Sequence, residues 1–318
     1  MFPRECEGVS VDPRCFIDLK FRGDVQNLVA MAPVSVTCLT RFSQSCCPQS
    51  QGLWKRISVG FLCSSVMVMS SGWASAVEAV QASPLSDYVV AVFTLTGALG
   101  ILQFFDELAK RDFLEKTLSR KLCHILSGLV FMLFWPLFST APLAKYLAAF
   151  ALVANGFRMI GLGLGLWKNE SLVKAISRGG SRRELLQGPL YYAIAILVAT
   201  LFFWRDSPIG ICAIATLCAG DGFADIVGRK YGKLKLPYNS DKSYIGSVAF
   251  FMLASLASTV YIAIFSACGF FTATPGVYIT SLAVALAGAI VEGLPLPIDD
   301  NFTVPFTAIG VGMLLFPF

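Results

Sequence analysis

From about position 86 onward the sequence alternates long apolar runs with short polar stretches. The runs cover Tyr88–Phe105, Leu122–Ser139, Leu143–Leu166, Pro189–Trp204, Pro208–Ile226, Ile245–Phe270, Val277–Val291 and Phe302–Phe318. None alternates apolar and polar positions with period two, the signature of barrel strands. Their lengths cluster near the ~20 residues that carry a helix across a ~30 Å hydrocarbon core. The pattern predicts an all-α, polytopic integral membrane bundle of about seven or eight transmembrane helices over residues 86–318. The last run is short enough to read as re-entrant or peripheral as well as spanning.

Composition strengthens this reading. Of 318 residues, 56% are hydrophobic and only 14% charged, with mean hydropathy +0.69. A soluble domain carries about 25% charged residues, so lipid is the solvent for much of this chain. The N-terminal stretch differs. No acidic residue lies between Asp24 and Glu78, while Ser is abundant and Arg41, Lys55 and Arg56 supply positive charge. That composition predicts an organelle transit peptide or a disordered tail over residues 1–77. Met31 opens the acid-free part and is a candidate effective start, and the apolar stretch Val59–Ser71 is read as presequence. The ten cysteines include no CxxC pair, and a single histidine leaves no zinc site to argue.

If the runs alternate across the membrane, the charges sort to one side. The connections Asp106–Lys121, Trp167–Gly188, Val227–Tyr244 and Glu292–Asn301 hold almost every ionisable residue after position 100. Thr140–Pro142, Arg205–Ser207 and Cys268–Gly276 are short and nearly uncharged. The positive-inside rule makes the basic face cytoplasmic or stromal. Topology does not need the carboxylates Glu292, Asp299 and Asp300 on that face. A basic face with a few carboxylates suits a polyanion and its metal.

The richest segment is Cys218–Gly232, CAGDGFADIVGRKYG. Asp221 and Asp225 are spaced i, i+4 and share one helix face; carboxylates closing an apolar run are costly enough to suggest function. Together they suit Mg²⁺, which prefers one or two protein carboxylates plus substrate phosphates. Gly220, Gly222 and Gly228 permit close backbone approach, and Arg229 and Lys230 follow as phosphate partners. The competing structural reading is helix packing on the glycines and internal ion pairing of the aspartates. In Tyr238–Ser247, YNSDKSYIGS, Lys242, Ser243, Gly246 and Ser247 stand at a predicted helix N-terminus, which favours an anion. His124 opens an apolar run beside Arg120 and Lys121. Between Leu172 and Leu186 an amphipathic pattern predicts a segment lying along the membrane surface.

The strings RKLCHILSG, SRRELLQGPLYY, CAGDGFADIVGRKYGKLKLPYNSDKS and EGLPLPIDDN resemble, in this order, plant chloroplast phytol kinases and farnesol kinases. These belong to the polyprenol kinase family, related to CTP-dependent dolichol kinases. GLVFMLFWPLFS and SRRELLQGPLYY look nearer to the farnesol kinase branch. The resemblance implies phosphoryl transfer from CTP (or UTP or ATP), with Mg²⁺, to phytol, farnesol or geranylgeraniol. It also implies a chloroplast membrane, envelope or thylakoid, a role in isoprenoid and tocopherol salvage, lipid and nucleotide as partners, and no nucleic acid. On this reading Asp221 and Asp225 hold the metal, while Gly220, Gly222, Gly228, Arg229, Lys230, Lys242, Ser243 and Gly246 bind nucleotide phosphates. Asp225, His124, Glu292 and Asp300 are the candidates to accept the alcohol proton.

Two other classes compete. A CDP-alcohol phosphotransferase or cytidylyltransferase also uses membrane-edge aspartates with glycines, but no aspartate follows Gly232 at the phosphotransferase spacing. An ion-coupled transporter would place its carboxylates near the midplane, within broken helices or an inverted repeat. Here they close a run, and the sequence shows no repeat.

Overall fold

The computed structural model describes residues 73, 77–81, 86–111, 113–177 and 179–316. Apart from 73 and 77, the N-terminal expectations for residues 1–77 lie outside the described residues. The long helices are α1 (Ser86–Lys110), α2 (Lys116–Phe134), α3 (Ala144–Gly163), α5 (Gly188–Phe202), α8 (Tyr244–Ala267), α9 (Pro275–Gly293) and α10 (Asp300–Leu315). Glu170–Ile176 forms the short α4. Helix α6 (Pro208–Ala215) continues through a π turn, Thr216–Asp221, into α7 (Gly222–Tyr231), and the three read as one rod. Among the described residues, seven helical segments are long and apolar enough to cross a membrane. The eighth predicted run is α10, at 16 residues too short to be counted with them.

Local chemistry sets the helix ends. Pro189, Pro208 and Pro275 occupy first-turn positions of α5, α6 and α9, where the missing N–H costs nothing. Ser207, Ser243 and Asp299 cap α6, α8 and α10 by accepting from Ile209 N, Gly246 N and Asn301 N. Gly269, at φ 80, closes α8 in the left-handed region that favours glycine. The amphipathic stretch after α3 folds as α4 and a 3₁₀ turn at Arg182–Leu186, its apolar face formed by Val173 and Leu185 against Met159 and Leu162.

The rod Pro208–Tyr231 is the axis of the bundle. Its apolar window is 83% buried, against 17–44% in the other six. Ile209, Ile211, Cys212, Ala213, Ile214, Leu217 and Cys218 are sealed among Met132, Trp135, Ile196, Phe265, Val284 and Ala308. The sheath helices turn large apolar side chains such as Phe93, Phe157 and Leu256 outward, as lipid exposure requires. Small residues let helices close on the rod. Gly128 faces Cys218 and Tyr192, and Gly288 lies 3.1 Å from Phe250 by its Cβ position.

Two features depart from the sequence reading. Residues Lys235–Leu236 and Asn239–Ser243 pair as a small antiparallel hairpin, β1–β2, between α7 and α8. On the edge predicted to be nearly uncharged, Arg205 is buried and donates to the carbonyls of Trp135, Phe138 and Ser139. Its guanidinium lies 4.4 Å from the Phe270 ring centre. Those carbonyls lie at and just beyond the end of α2, where Pro136 interrupts the helical ladder. Asp87 joins them by accepting from Ser139 N and Oγ at 2.6 Å.

Candidate active site

One edge of the bundle carries a cavity of about 640 Å³. Its walls come from the start of α2, the end of the rod, the hairpin, the end of α9 and the first turn of α10. Antiparallel packing brings these distant segments together, as the predicted sorting of charge to one face requires. Lys121, Arg229, Lys235 and Lys242 line it with Asp221, Asp225, Asp241, Glu292, Asp299 and Asp300.

Two lysines are each held between two carboxylates. Lys121 Nζ donates to Asp221 Oδ2 at 3.0 Å and lies 3.9 Å from Asp225 Oδ2. Lys242 Nζ donates to Glu292 Oε1 at 2.5 Å and to Asp300 Oδ2 at 2.6 Å. Burial alone would lower the Lys242 ammonium, but Glu292 and Asp300 outweigh it and hold it above the ordinary lysine range. Burial raises the Asp300 carboxyl, only partly offset by Lys242. The hairpin is tied to this wall, with Asn239 Nδ2 donating to Gly293 O at 3.0 Å.

Asp221, Asp225, Gly228, Arg229, Lys242, Ser243, Gly246, Glu292 and Asp300 all line the cavity. Asp225 Oδ1 accepts from Arg229 Nε and Nη2 at 2.9 and 2.7 Å. Gly246 N is engaged by the Ser243 cap at 3.2 Å, and Gly228 fits against both residues.

Four expected site residues lie elsewhere. Gly220 and Gly222 face Phe250 and Ile125, so their missing side chains serve helix contact within the rod's packing. Lys230 stands over the Tyr231 ring at 5.3 Å, outside the cavity lining. His124 is also outside it; Nε2 lies 3.1 Å from Leu217 O and 3.6 Å from Asp221 Oδ2. A carbonyl only accepts, so the imidazole donates there and braces the π turn that ends at Asp221. Tyr192 stacks on it with centroids 4.3 Å apart. Sequence reasoning missed Lys121, which sits in RKLCHILSG one turn before His124 and had been read as a topology charge. A lysine at the mouth of an apolar run, one turn before the lone histidine, was the available signal.

Among the described residues no three His, Cys, Asp or Glu side chains gather as metal ligands. That excludes a self-sufficient protein cage, whereas Mg²⁺ carried on a nucleotide needs only one or two carboxylates. Two buried acceptors on the cavity wall, Glu292 Oε2 and Asn301 Oδ1, have no hydrogen-bond partner among the described residues, so the donor set fits such an ion.

Fold and site define a polytopic helical membrane protein with a charged, carboxylate-rich cavity at one end of its bundle. The chain belongs to the family of phytol and farnesol kinases. It is 51% identical to a probable chloroplastic phytol kinase 2 of Oryza sativa subsp. japonica over 74% of this chain and 79% of that protein. The chloroplastic farnesol kinase of Arabidopsis thaliana matches at 42% identity over 85% and 89%, and its phytol kinase 1 at 41% over 74% and 78%. Identity is thus higher to the rice phytol kinase and coverage longer for the farnesol kinase, so neither branch is singled out. No family model matches the chain, and no solved structure matches it.

Proposed function

We propose that this chain is a prenyl alcohol kinase of a chloroplast membrane, passing the γ-phosphoryl group of CTP to phytol, farnesol or geranylgeraniol. The carrying observation is the cavity itself: cations and carboxylates brought together at one edge of a bundle whose other surface is made for lipid. An alcohol anchored in the bilayer by its tail presents its hydroxyl at that depth, while a nucleotide arrives from water.

Phosphoryl transfer asks a protein for positioning and neutralisation more than covalent work. Arg229, Lys235 and Lys242 are placed to neutralise phosphate oxygens, with the loop from Ser243 to Gly246 alongside. Asp221 and Asp225 would hold Mg²⁺, which neutralises the developing charge on the phosphates. Lys121 pairs with Asp221 and orients it, and His124 fixes the turn on which it sits. A carboxylate of Asp225, Glu292 or Asp300 takes the alcohol proton. Membership of the kinase family favours this over a CDP-alcohol phosphotransferase, which would release CMP instead of CDP.

The test is full-length protein in lipid nanodiscs with [γ-³²P]CTP, UTP or ATP and each alcohol. Labelled prenyl monophosphate is expected, strongest with CTP, and Asp221→Asn should abolish it. Label absent with every nucleotide and alcohol, or an Asp221→Asn variant as active as wild type, would refute the proposal.

A further inference from the structure

Glu292 occupies the last turn of α9 and is 4% exposed, and Asn301 in the first turn of α10 is 9% exposed. Both line the cavity, and each ends in an acceptor without a partner, Glu292 Oε2 and Asn301 Oδ1. The two oxygens of Glu292 are therefore not equivalent. Oε1 is bonded to Lys242 at 2.5 Å, while Oε2 is a buried carboxylate oxygen with no hydrogen-bond donor among the described residues. An unsatisfied buried acceptor costs about 1–3 kcal/mol, and a charged one more. Packing alone does not call for such an atom on a cavity wall, because Gln or Leu would fill the same space at less cost.

The local charge points to what would satisfy it. Lys242 is paired with Glu292 and Asp300, two carboxylates against one ammonium, and Asp299 lines the same cavity. Asp299 is engaged as the cap of α10 through Asn301 N at 2.9 Å, which fixes the turn carrying Asn301. A hydrogen-bond donor from substrate would satisfy one oxygen and leave the charge excess; a divalent cation answers both. A carboxylate oxygen and an amide oxygen lining one cavity offer the hard donor chemistry of Mg²⁺ or Mn²⁺. The Asp221–Asp225 pair, at the end of the rod, lines the same cavity and is engaged by Lys121 and Arg229.

We infer that Glu292 and Asn301 form a second divalent-cation position, distinct from the one proposed at Asp221 and Asp225. This rests on the kinase reading only for its purpose, a second ion on the same nucleotide phosphates. It removes Glu292 from the candidates for proton acceptor and leaves Asp225 and Asp300.

The experiment is Mn²⁺ titration of the purified full chain, following loss of the free-ion electron paramagnetic resonance signal, with neither nucleotide nor alcohol present. Changes merely beside a metal ligand weaken binding about 10–100-fold, so Glu292→Gln should weaken one class of Mn²⁺ sites at least about tenfold. Asp221→Asn should leave that class unchanged. Asn301→Asp, which adds a charged oxygen at the same place, should tighten it, a gain that a purely structural role does not predict. A Glu292→Gln isotherm that overlays wild type, or an Asn301→Asp variant that folds and binds no more tightly, would overturn the inference. Because no phosphoryl transfer is measured, that failure is distinct from failure of the kinase assay.

Discussion

Replacing Lys121 by Met removes a charged hydrogen-bond donor to Asp221 while nearly preserving side-chain length. The lysine and aspartate side chains are 10% and 6% exposed, so water reaches neither freely. Removing one partner of a buried pair costs about 3–5 kcal/mol, chiefly by stranding the other charge. Two features reduce that here. His124 Nε2 lies 3.6 Å from the same carboxylate oxygen, and Asp221 borders a cavity that admits solvent. The lower end, about 3 kcal/mol, is therefore expected. At roughly 2–4 °C per kcal/mol for a domain of this size, Lys121→Met should lower the melting temperature in nanodiscs by about 6–12 °C. Asp221→Asn alone should cost less, because the Lys121 ammonium it leaves behind still has the Asp225 carboxylate at 3.9 Å, and Lys121→Met/Asp221→Asn should recover most of the loss. The quantity measured is the coupling energy of that cycle, which for residues in direct contact reaches about 0.5–3 kcal/mol. A single variant melting within about 1 °C of wild type, or losses that simply add, would refute the pair as a structural element of the site.

Other substitutions separate roles that the sequence leaves merged. Gly220→Val should cost about 1–3 kcal/mol by overpacking against Phe250, 2.8 Å from the added Cβ, yet leave the KM for CTP unchanged in the folded fraction; a selective rise in KM would return Gly220 to the phosphate site. Lys230→Ala should change that KM less than about twofold, while Lys242→Ala should raise it at least about tenfold, the loss of one charge-assisted hydrogen bond; equal effects in steady-state kinetics would contradict the geometry. Arg205→Leu should lower the melting temperature by the equivalent of about 1–3 kcal/mol, because the Ser139 carbonyl loses its donor while Trp135 O and Phe138 O keep Phe138 N and Gln81 Nε2. Its kinetic constants in the folded fraction should stay at wild-type values, since it sits at the edge opposite the cavity.

The helices were legible because hydrophobic run length is a one-dimensional signal, and the strong punctuation at Pro189, Pro208, Ser243 and Pro275 fixes their starts. The Asp221–Asp225 pair was legible because its i, i+4 spacing is local. What could not be read is whatever depends on which segment faces which. Nothing in the spacing of GDGFAD tells Gly220 and Gly222, which meet Phe250 and Ile125, from Gly228, which borders the cavity. Lys121 was passed over because its partner is 100 positions away, and a lysine at a helix start already has an ordinary explanation. The hairpin was hidden for another reason. NSDKS has low strand propensity, and it forms an edge because Asn239 is tied to Gly293 at the end of α9, a contact that exists only once the bundle is assembled. The π turn likewise answers a tertiary demand, with Leu217 O turned to His124.

The charge balance of the cavity constrains its ligand further than the identity of any one residue. Lys121, Arg229, Lys235 and Lys242 make four positive charges, whereas Asp221, Asp225, Asp241, Glu292, Asp299 and Asp300 make six negative ones. A pocket built for a bare polyanion would show the opposite excess. Two unit charges of like sign about 5 Å apart repel by about 3 kcal/mol at an effective dielectric of 20, so each uncompensated phosphate–carboxylate approach weakens binding by about a hundredfold. A nucleoside triphosphate is therefore admitted only with cations that convert carboxylates from repelling groups into ligands. Binding itself, and not only turnover, should then depend on the divalent ion. A fluorescent CTP analogue titrated into the protein should bind at least about a hundredfold more weakly with chelator than with excess Mg²⁺. Equal affinity in the two conditions would mean that the lysines alone carry the phosphates, and the carboxylate excess would need another explanation.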